Sequence, residues 1–104
     1  MRYRFEEFAF DIDRRELHRG AEVVSITPQV LDLLEYLMRH ARSTVSREML
    51  AHELWKDVER ATPLDNVIDV HIARLRRKID GPNLVRLIHT VRGVGYSIRA
   101  EPEP

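Results

Sequence analysis

The sequence predicts an α+β fold in which an N-terminal antiparallel β-sheet precedes three helices and a C-terminal β-hairpin. Apolar residues alternate near the N-terminus, recur about every 3.6 residues in the middle, and alternate again around two glycines near the end. A chain of 104 residues suits one compact domain, which we expect to cover residues 1–100. Residues 101–104, EPEP, are expected to form a frayed tail or the start of a linker.

The composition excludes several classes of protein. The chain has no cysteine, and therefore no disulfide, no thiolate nucleophile and no cysteine zinc site. The most apolar window, residues 30–38, is interrupted by Asp32 and Glu35, so we expect no membrane-spanning helix. The N-terminus is unlike a signal peptide, because acidic residues occur there before any apolar segment. Together these features predict a cytoplasmic protein.

The first predicted element is a short antiparallel sheet. Phe8, Phe10 and Ile12 alternate with other residues, and apolar residues return beyond the turn-like sequence HRGAE. We expect a hairpin near Gly20.

Two helices should follow. Thr27 is a suitable N-cap and Pro28 a suitable first residue for a helix that runs to about Ala41. Its predicted apolar side comprises Val30, Leu31, Leu34, Leu37, Met38 and Ala41. Ser46 is the expected N-cap of the second helix. The residues expected to point inward from that helix are Leu50, Ala51, Leu54 and Trp55.

The third helix is expected over about residues 65–79, within DNVIDVHIARLRRKID, and Gly81-Pro82 should end it. At about 100° per residue, one stripe is apolar and should be buried: Ile68, Ile72, Leu75 and Ile79. The opposite face comprises Asn66, Val70, Ala73, Arg74 and Arg77. The flanks carry Asp69 and Arg76 on one side, and His71 and Lys78 on the other.

This basic face has two interpretations. An arginine-rich helix face is often merely solvated. However, residues 66–99 contain seven basic and two acidic residues in a chain whose 17 basic and 17 acidic residues balance, which favours an anionic partner. Val70 is suited to a thymine methyl group, Arg74 to guanine and Asn66 to adenine in a major groove.

A C-terminal hairpin with the tip RGVG should follow. Gly93 and Gly95 keep the tip thin, so Arg92 could enter the narrow, electronegative minor groove of A·T-rich DNA. The alternative is an ordinary surface turn with a solvated arginine.

The segments LDLLEYL, VSREMLAHELW, NVIDVHIARLRRKID and LIHTVRGVGY resemble, in order and spacing, the winged-helix DNA-binding domain of OmpR/PhoB-type bacterial transcriptional regulators. The resemblance implies a winged helix-turn-helix fold and sequence-specific binding of double-stranded DNA. By position, Val70, Arg74 and Arg77 would face bases or nearby backbone. Arg76 and His71 would face phosphates, and Thr90 and Arg92 would contact DNA from the wing.

The resemblance also implies partners and a location. Members bind direct repeats in tandem, which leaves a homodimer on DNA open, and they act at the nucleoid. Many are response regulators of two-component systems. The segment after the second helix would touch RNA polymerase through Lys56, Asp57, Val58, Glu59 and Arg60. Because Asn66 and Ala73 stand where relatives often carry arginine, the family's base preference does not transfer.

Two other functions compete with DNA binding as interpretations of the sequence. Catalysis is not expected, because His52-Glu53 lacks the second histidine of a zinc-protease helix and no serine lies in a nucleophile motif. No cofactor or metal is expected either. The main alternative is a winged-helix module that docks an acidic protein without specific DNA binding.

Overall fold

The predicted fold class is confirmed by the computed structural model, which describes residues 1–55, 64–80 and 86–102. Four strands come first: β1 (Arg2–Phe5), β2 (Phe8–Asp11), β3 (Glu16–Arg19) and β4 (Glu22–Val23). Next come α1 (Pro28–Arg39), β5 (Val45–Ser46), α2 (Arg47–Leu54) and α3 (Leu64–Ile79). The chain continues with β6 (Ile88–Val91), β7 (Gly95–Ile98) and β8 (Glu101–Pro102).

The N-terminal sheet has five strands in the order β4-β3-β2-β1-β8, with antiparallel pairing throughout. The hairpin predicted near Gly20 is confirmed, and Gly20 has the positive φ of 62° that suits a tight turn. Glu101 and Pro102, expected to lie in a frayed tail or at the start of a linker, pair with β1. A proline is tolerated there because β8 is an edge strand.

Helix α1 begins as predicted. The Thr27 hydroxyl accepts a hydrogen bond from the Val30 N–H, and Pro28 fills the first turn. The helix ends at Arg39, two residues before the predicted end at Ala41. Arg15, in the turn between β2 and β3, donates to Asp32 at 2.5 Å and to Glu35 at 2.6 Å, and these ion pairs join the sheet to α1.

The core lies between the N-terminal sheet, the three helices and the C-terminal hairpin. Ser46 caps α2 as predicted, because its hydroxyl accepts from the Met49 N–H at 3.0 Å. The predicted apolar stripe of α3 is buried: Ile68, Ile72, Leu75 and Ile79 are each at most 2% exposed. Helix α3 packs against both α1 and α2, and this packing fixes which side of α3 faces outward.

The C-terminal hairpin, called the wing below, consists of β6, β7 and the turn between them. It is confirmed, with Val91 paired to Gly95 and Ile88 to Ile98. The unpredicted strand β5 adds to it and pairs Val45 with Tyr96. Gly95 lies so close to β5 that an added Cβ would be 1.9 Å from the Val45 carbonyl oxygen. Only glycine fits this close contact with β5, independently of the backbone conformation that the turn needs.

In the ranges that the structure describes, no helix has the length and apolarity needed to cross a membrane.

We expect Gly95→Ala to lower the free energy of unfolding by about 1–3 kcal/mol, because the added methyl group forces β7 away from β5. Val94→Ala is the matched control, since Val94 is 51% exposed at the neighbouring position. That control should change stability by no more than about 0.5 kcal/mol. Chemical denaturation measures both variants, and equal effects would contradict the close approach of the two strands.

Candidate nucleic-acid interface

The outward face of α3 carries the predicted base-contacting residues together. Asn66, Val70, Arg74 and Arg77 are all exposed, and Val70 is 45% exposed among these polar side chains. Ala73, also exposed, adds a short side chain to this face. The face follows directly from the burial of the opposite stripe, because a helix that buries one side must present the other.

His71 does not lie on that face, and this corrects the expectation that it faces phosphates. It is only 8% exposed, its Nδ1 lies 2.8 Å from the Val67 carbonyl oxygen, and its ring meets the Trp55 indole edge-on at 5.3 Å. Among the described residues its buried Nε2 has no hydrogen-bond partner. The position of His71 on the flank of the helix is correct, but Trp55, the residue that follows α2, covers it.

Arg76 and Thr90, both predicted DNA contacts, are hydrogen-bonded to each other. The Arg76 Nη2 donates to the Thr90 hydroxyl at 2.6 Å and to the Ile88 carbonyl oxygen at 3.3 Å. Arg76 is half-buried, whereas Thr90 is exposed on β6. The pair therefore joins α3 to β6, the first strand of the wing.

The tip of the wing projects the remaining predicted contact. Arg92 and Val94 are exposed, and Gly93 between them has a φ of 73°, in the left-handed region. The tip and the N-terminus of α2, at Ser46 and Arg47, line opposite sides of an open groove. The wing tip thus stands beside the helical part of the surface as a thin, basic projection.

Sequence reasoning missed a cluster beneath this surface, formed by Arg47, Asp69 and Tyr96. Asp69 Oδ1 accepts hydrogen bonds from the Arg47 Nη2 at 2.7 Å and from the Tyr96 hydroxyl at 2.9 Å. Arg47 also donates to the Tyr96 oxygen at 2.9 Å and lies 5.4 Å from the centre of the tyrosine ring. Asp69 could have indicated this cluster in the sequence, because it is an acidic residue on the edge of a basic helix face.

These contacts shift the ionisation of both acids of the cluster. Burial alone would raise the pKa of the Asp69 carboxyl, but the hydrogen bonds from Arg47 and Tyr96 outweigh burial and lower that pKa. Burial and the hydrogen bond to Asp69 raise the pKa of the Tyr96 hydroxyl. Asp69 is therefore ionised and Tyr96 protonated at neutral pH, as their hydrogen bonds require.

A second carboxylate anchors the wing at its start. The Asp80 Oδ1 accepts from the Leu87 N–H at 2.9 Å, and the Oδ2 lies 3.4 Å from the Ile88 nitrogen. Asp80 follows the last residue of α3, so the end of this helix holds the first strand of the wing.

The remaining sequence predictions concern an RNA polymerase contact and metal binding. The residues predicted to contact RNA polymerase lie outside the described residues: Lys56, Asp57, Val58, Glu59 and Arg60. Over the three described ranges, no cluster of three or more histidine and acidic side chains could hold a metal ion.

The whole arrangement matches a known family. Residues 20–98 match the family model described as "Transcriptional regulatory protein, C terminal". The chain belongs to the OmpR/PhoB-type family of winged-helix DNA-binding domains. Its OmpR/PhoB-type fold is shared by the DNA-binding domain of CpxR from E. coli, with 31% identity and a TM-score of 0.75, covering 95% of this chain and 96% of that one.

Two further comparisons agree. The transcriptional regulatory protein YkoG of Bacillus subtilis is 38% identical over 96 residues, which are 91% of this chain and 41% of YkoG. The DNA-binding domain of RstA from Klebsiella pneumoniae, solved in complex with the RstA box, has 27% identity and a TM-score of 0.75, covering 94% of this chain and 96% of that one. The OmpR/PhoB-type domain spans less than half the length of curated relatives such as YkoG.

We expect the stabilising effect of Asp69 to be lost in acid. Because its pKa in the folded protein lies below the ordinary 3.8, the unfolded chain takes up this proton first and the carboxylate stabilises the fold above pH 3.8. This contribution disappears as the pH falls through the lowered pKa. The difference in free energy of unfolding between wild type and Asp69→Asn should therefore shrink from about pH 6 to about pH 3. A constant difference over that range would contradict the hydrogen bonds assigned to Asp69.

Proposed function

We propose that this domain binds double-stranded DNA sequence-specifically as part of a transcriptional regulator, with α3 in the major groove. The observation that carries the proposal is the outward face of α3, where Asn66, Val70, Arg74 and Arg77 are exposed together above a buried apolar stripe. A major groove admits one helix, and its floor offers the donors, acceptors and methyl groups that such side chains read. Membership of the OmpR/PhoB-type family supports the same assignment.

The proposed base contacts follow from side-chain chemistry. Arg74 is exposed on this face and can bind guanine O6 and N7 with two hydrogen bonds, which is worth about 1–3 kcal/mol of discrimination. Asn66 can read adenine in the analogous way, and Val70 can pack on a thymine methyl group. Ala73 lets the groove floor approach the helix.

The wing supplies the proposed minor-groove contact. Arg92 is exposed on a turn that glycine makes thin, and a guanidinium is attracted to the narrow minor groove of A·T-rich DNA. Arg77, together with the linked pair Arg76 and Thr90, is assigned to the phosphates between the two grooves. Such phosphate contacts set affinity and register but carry no sequence information.

The relatives support DNA as the partner, since the RstA domain was solved with its DNA box. We extend the proposal to action in the cytoplasm at the nucleoid, to binding of direct-repeat sites by two copies, and to contact of residues 56–60 with RNA polymerase. These finer points rest on the family alone. Docking of an acidic protein remains the contrasting function, and binding to duplexes distinguishes the two.

Arg74→Ala should reduce the preference for duplexes selected from a random pool over a mixed-sequence duplex by about 5- to 150-fold, because one bidentate base contact is lost. Fluorescence anisotropy measures both affinities. Arg14→Ala is the matched control, since Arg14 lies in the turn after β2 with its side chain 77% exposed. An equal loss of affinity for both duplexes would show that Arg74 contacts only phosphate.

Arg92→Ala should weaken binding chiefly to sites with A·T-rich flanks, because a narrow minor groove attracts the lost guanidinium. The measurement compares duplexes that share one core and differ in their flanks. Salt provides the overall control, since the logarithm of affinity should fall linearly with the logarithm of salt concentration, by about 0.9 per phosphate contacted. Absence of binding at low salt would reject the DNA function and favour the docking module.

A further inference from the structure

One cross-strand pair of the wing is bonded to α3 through the side chains of both its members. Thr90 of β6 and Tyr96 of β7 are direct cross-strand partners. Thr90 accepts a hydrogen bond from Arg76, and Tyr96 donates one to Asp69. Both strands of the wing are therefore held by α3 at the same cross-strand pair.

The two residues of α3 that make these bonds share one side of the helix. Asp69 and Arg76 are seven positions apart, which is two helical turns, so they lie one above the other. Tyr96 lies between them: its ring is 5.8 Å from the Arg76 guanidinium, and its hydroxyl reaches Asp69. Arg47 closes the arrangement from α2 by bonding both Asp69 and Tyr96. We call Arg47, Asp69 and Tyr96 the junction.

The junction lies close to the tip of the wing. Beyond the Thr90–Tyr96 pair, only the Val91–Gly95 pair precedes the turn that bears Arg92. A small rotation of the wing at the junction therefore displaces Arg92 relative to α3. The spacing between the two proposed points of DNA contact depends on this attachment.

We propose that Asp69 is a positioning residue, which sets the wing relative to α3 through its hydrogen bonds to Tyr96 and Arg47 and so determines how Arg92 meets the minor groove. This inference rests on the proposed function. It explains why an acid occupies the edge of a surface that meets phosphates. A carboxylate there repels the polyanion, but its hydrogen bonds to a charged and a phenolic donor hold three elements together.

A purely electrostatic role and a positioning role of Asp69 predict different effects of Asp69→Asn on DNA binding. If Asp69 acts only through its charge, then Asp69→Asn removes repulsion and tightens binding to every duplex. If it positions the wing, the variant loses preference for A·T-rich flanks whatever happens to overall affinity. Glu48→Gln is the matched charge control, because Glu48 is an exposed acid of α2 beside the same groove and outside the junction.

The first measurement uses the free protein and needs no DNA. In Asp69→Asn, amide hydrogen exchange in β6 and β7 should accelerate by about tenfold, since bonds to a charged acceptor are weakened. Amides of α1 should keep their wild-type rates, which shows that the core is intact. Tyr96→Phe, which removes only the hydroxyl, should also accelerate exchange in the wing. Unchanged exchange in the wings of both variants overturns the inference.

The second measurement uses duplexes with one core and either A·T-rich or G·C-rich flanks. Asp69→Asn should lose the flank preference to the same extent as Arg92→Ala, and the double variant should lose no more than either one. Glu48→Gln should keep the preference. If Asp69→Asn keeps it as well and only binds more tightly, the positioning role is overturned. If wild type binds no duplex, the proposed function fails, and hydrogen exchange in the wing still decides whether Asp69 positions it.

Discussion

The burial of one apolar stripe on α3 is the constraint on which the rest of the surface depends. Ile68, Ile72, Leu75 and Ile79 are almost fully enclosed, and burial of each such side chain stabilises the fold by about 1.5–3 kcal/mol. Rotation of the helix by a few tens of degrees would expose this stripe, so the core fixes the rotation. The outward face is therefore determined by packing, although none of its residues belongs to the core.

Polar contacts add to burial in holding the wing. Its inner side chains join the core, but its setting relative to α3 depends on hydrogen bonds and charge, through Arg76 with Thr90, Asp69 with Tyr96, and Asp80 at the first residues of the wing. Directional bonds of this kind define geometry more sharply than apolar contact does. The domain thus combines a helix oriented by hydrophobic burial with a wing held by both burial and polar contacts, and the proposed DNA surface needs both.

The sequence predicted what periodicity and local chemistry encode. The α3 stripe, the caps at Thr27 and Ser46, and the wing hairpin are local patterns, and all are confirmed. Strands β5 and β8 were missed because each has only two residues, too few to show an apolar alternation. Their extended conformation depends on pairing with strands that are distant in the sequence. The expectation for His71 was wrong for a related reason, since a helical wheel gives an angle but not the neighbour from another helix that covers it.

We propose that the outward face of α3 and the tip of the wing form one surface for duplex DNA. Titration of the isotopically labelled domain with a selected duplex, followed through its amide NMR resonances, tests this surface directly. The largest shifts should fall on residues 66–77 of α3 and on residues 90–94 of the wing, while β2 and β3 stay unchanged. Shifts confined to the N-terminal sheet, or to α3 with none in the wing, would contradict it.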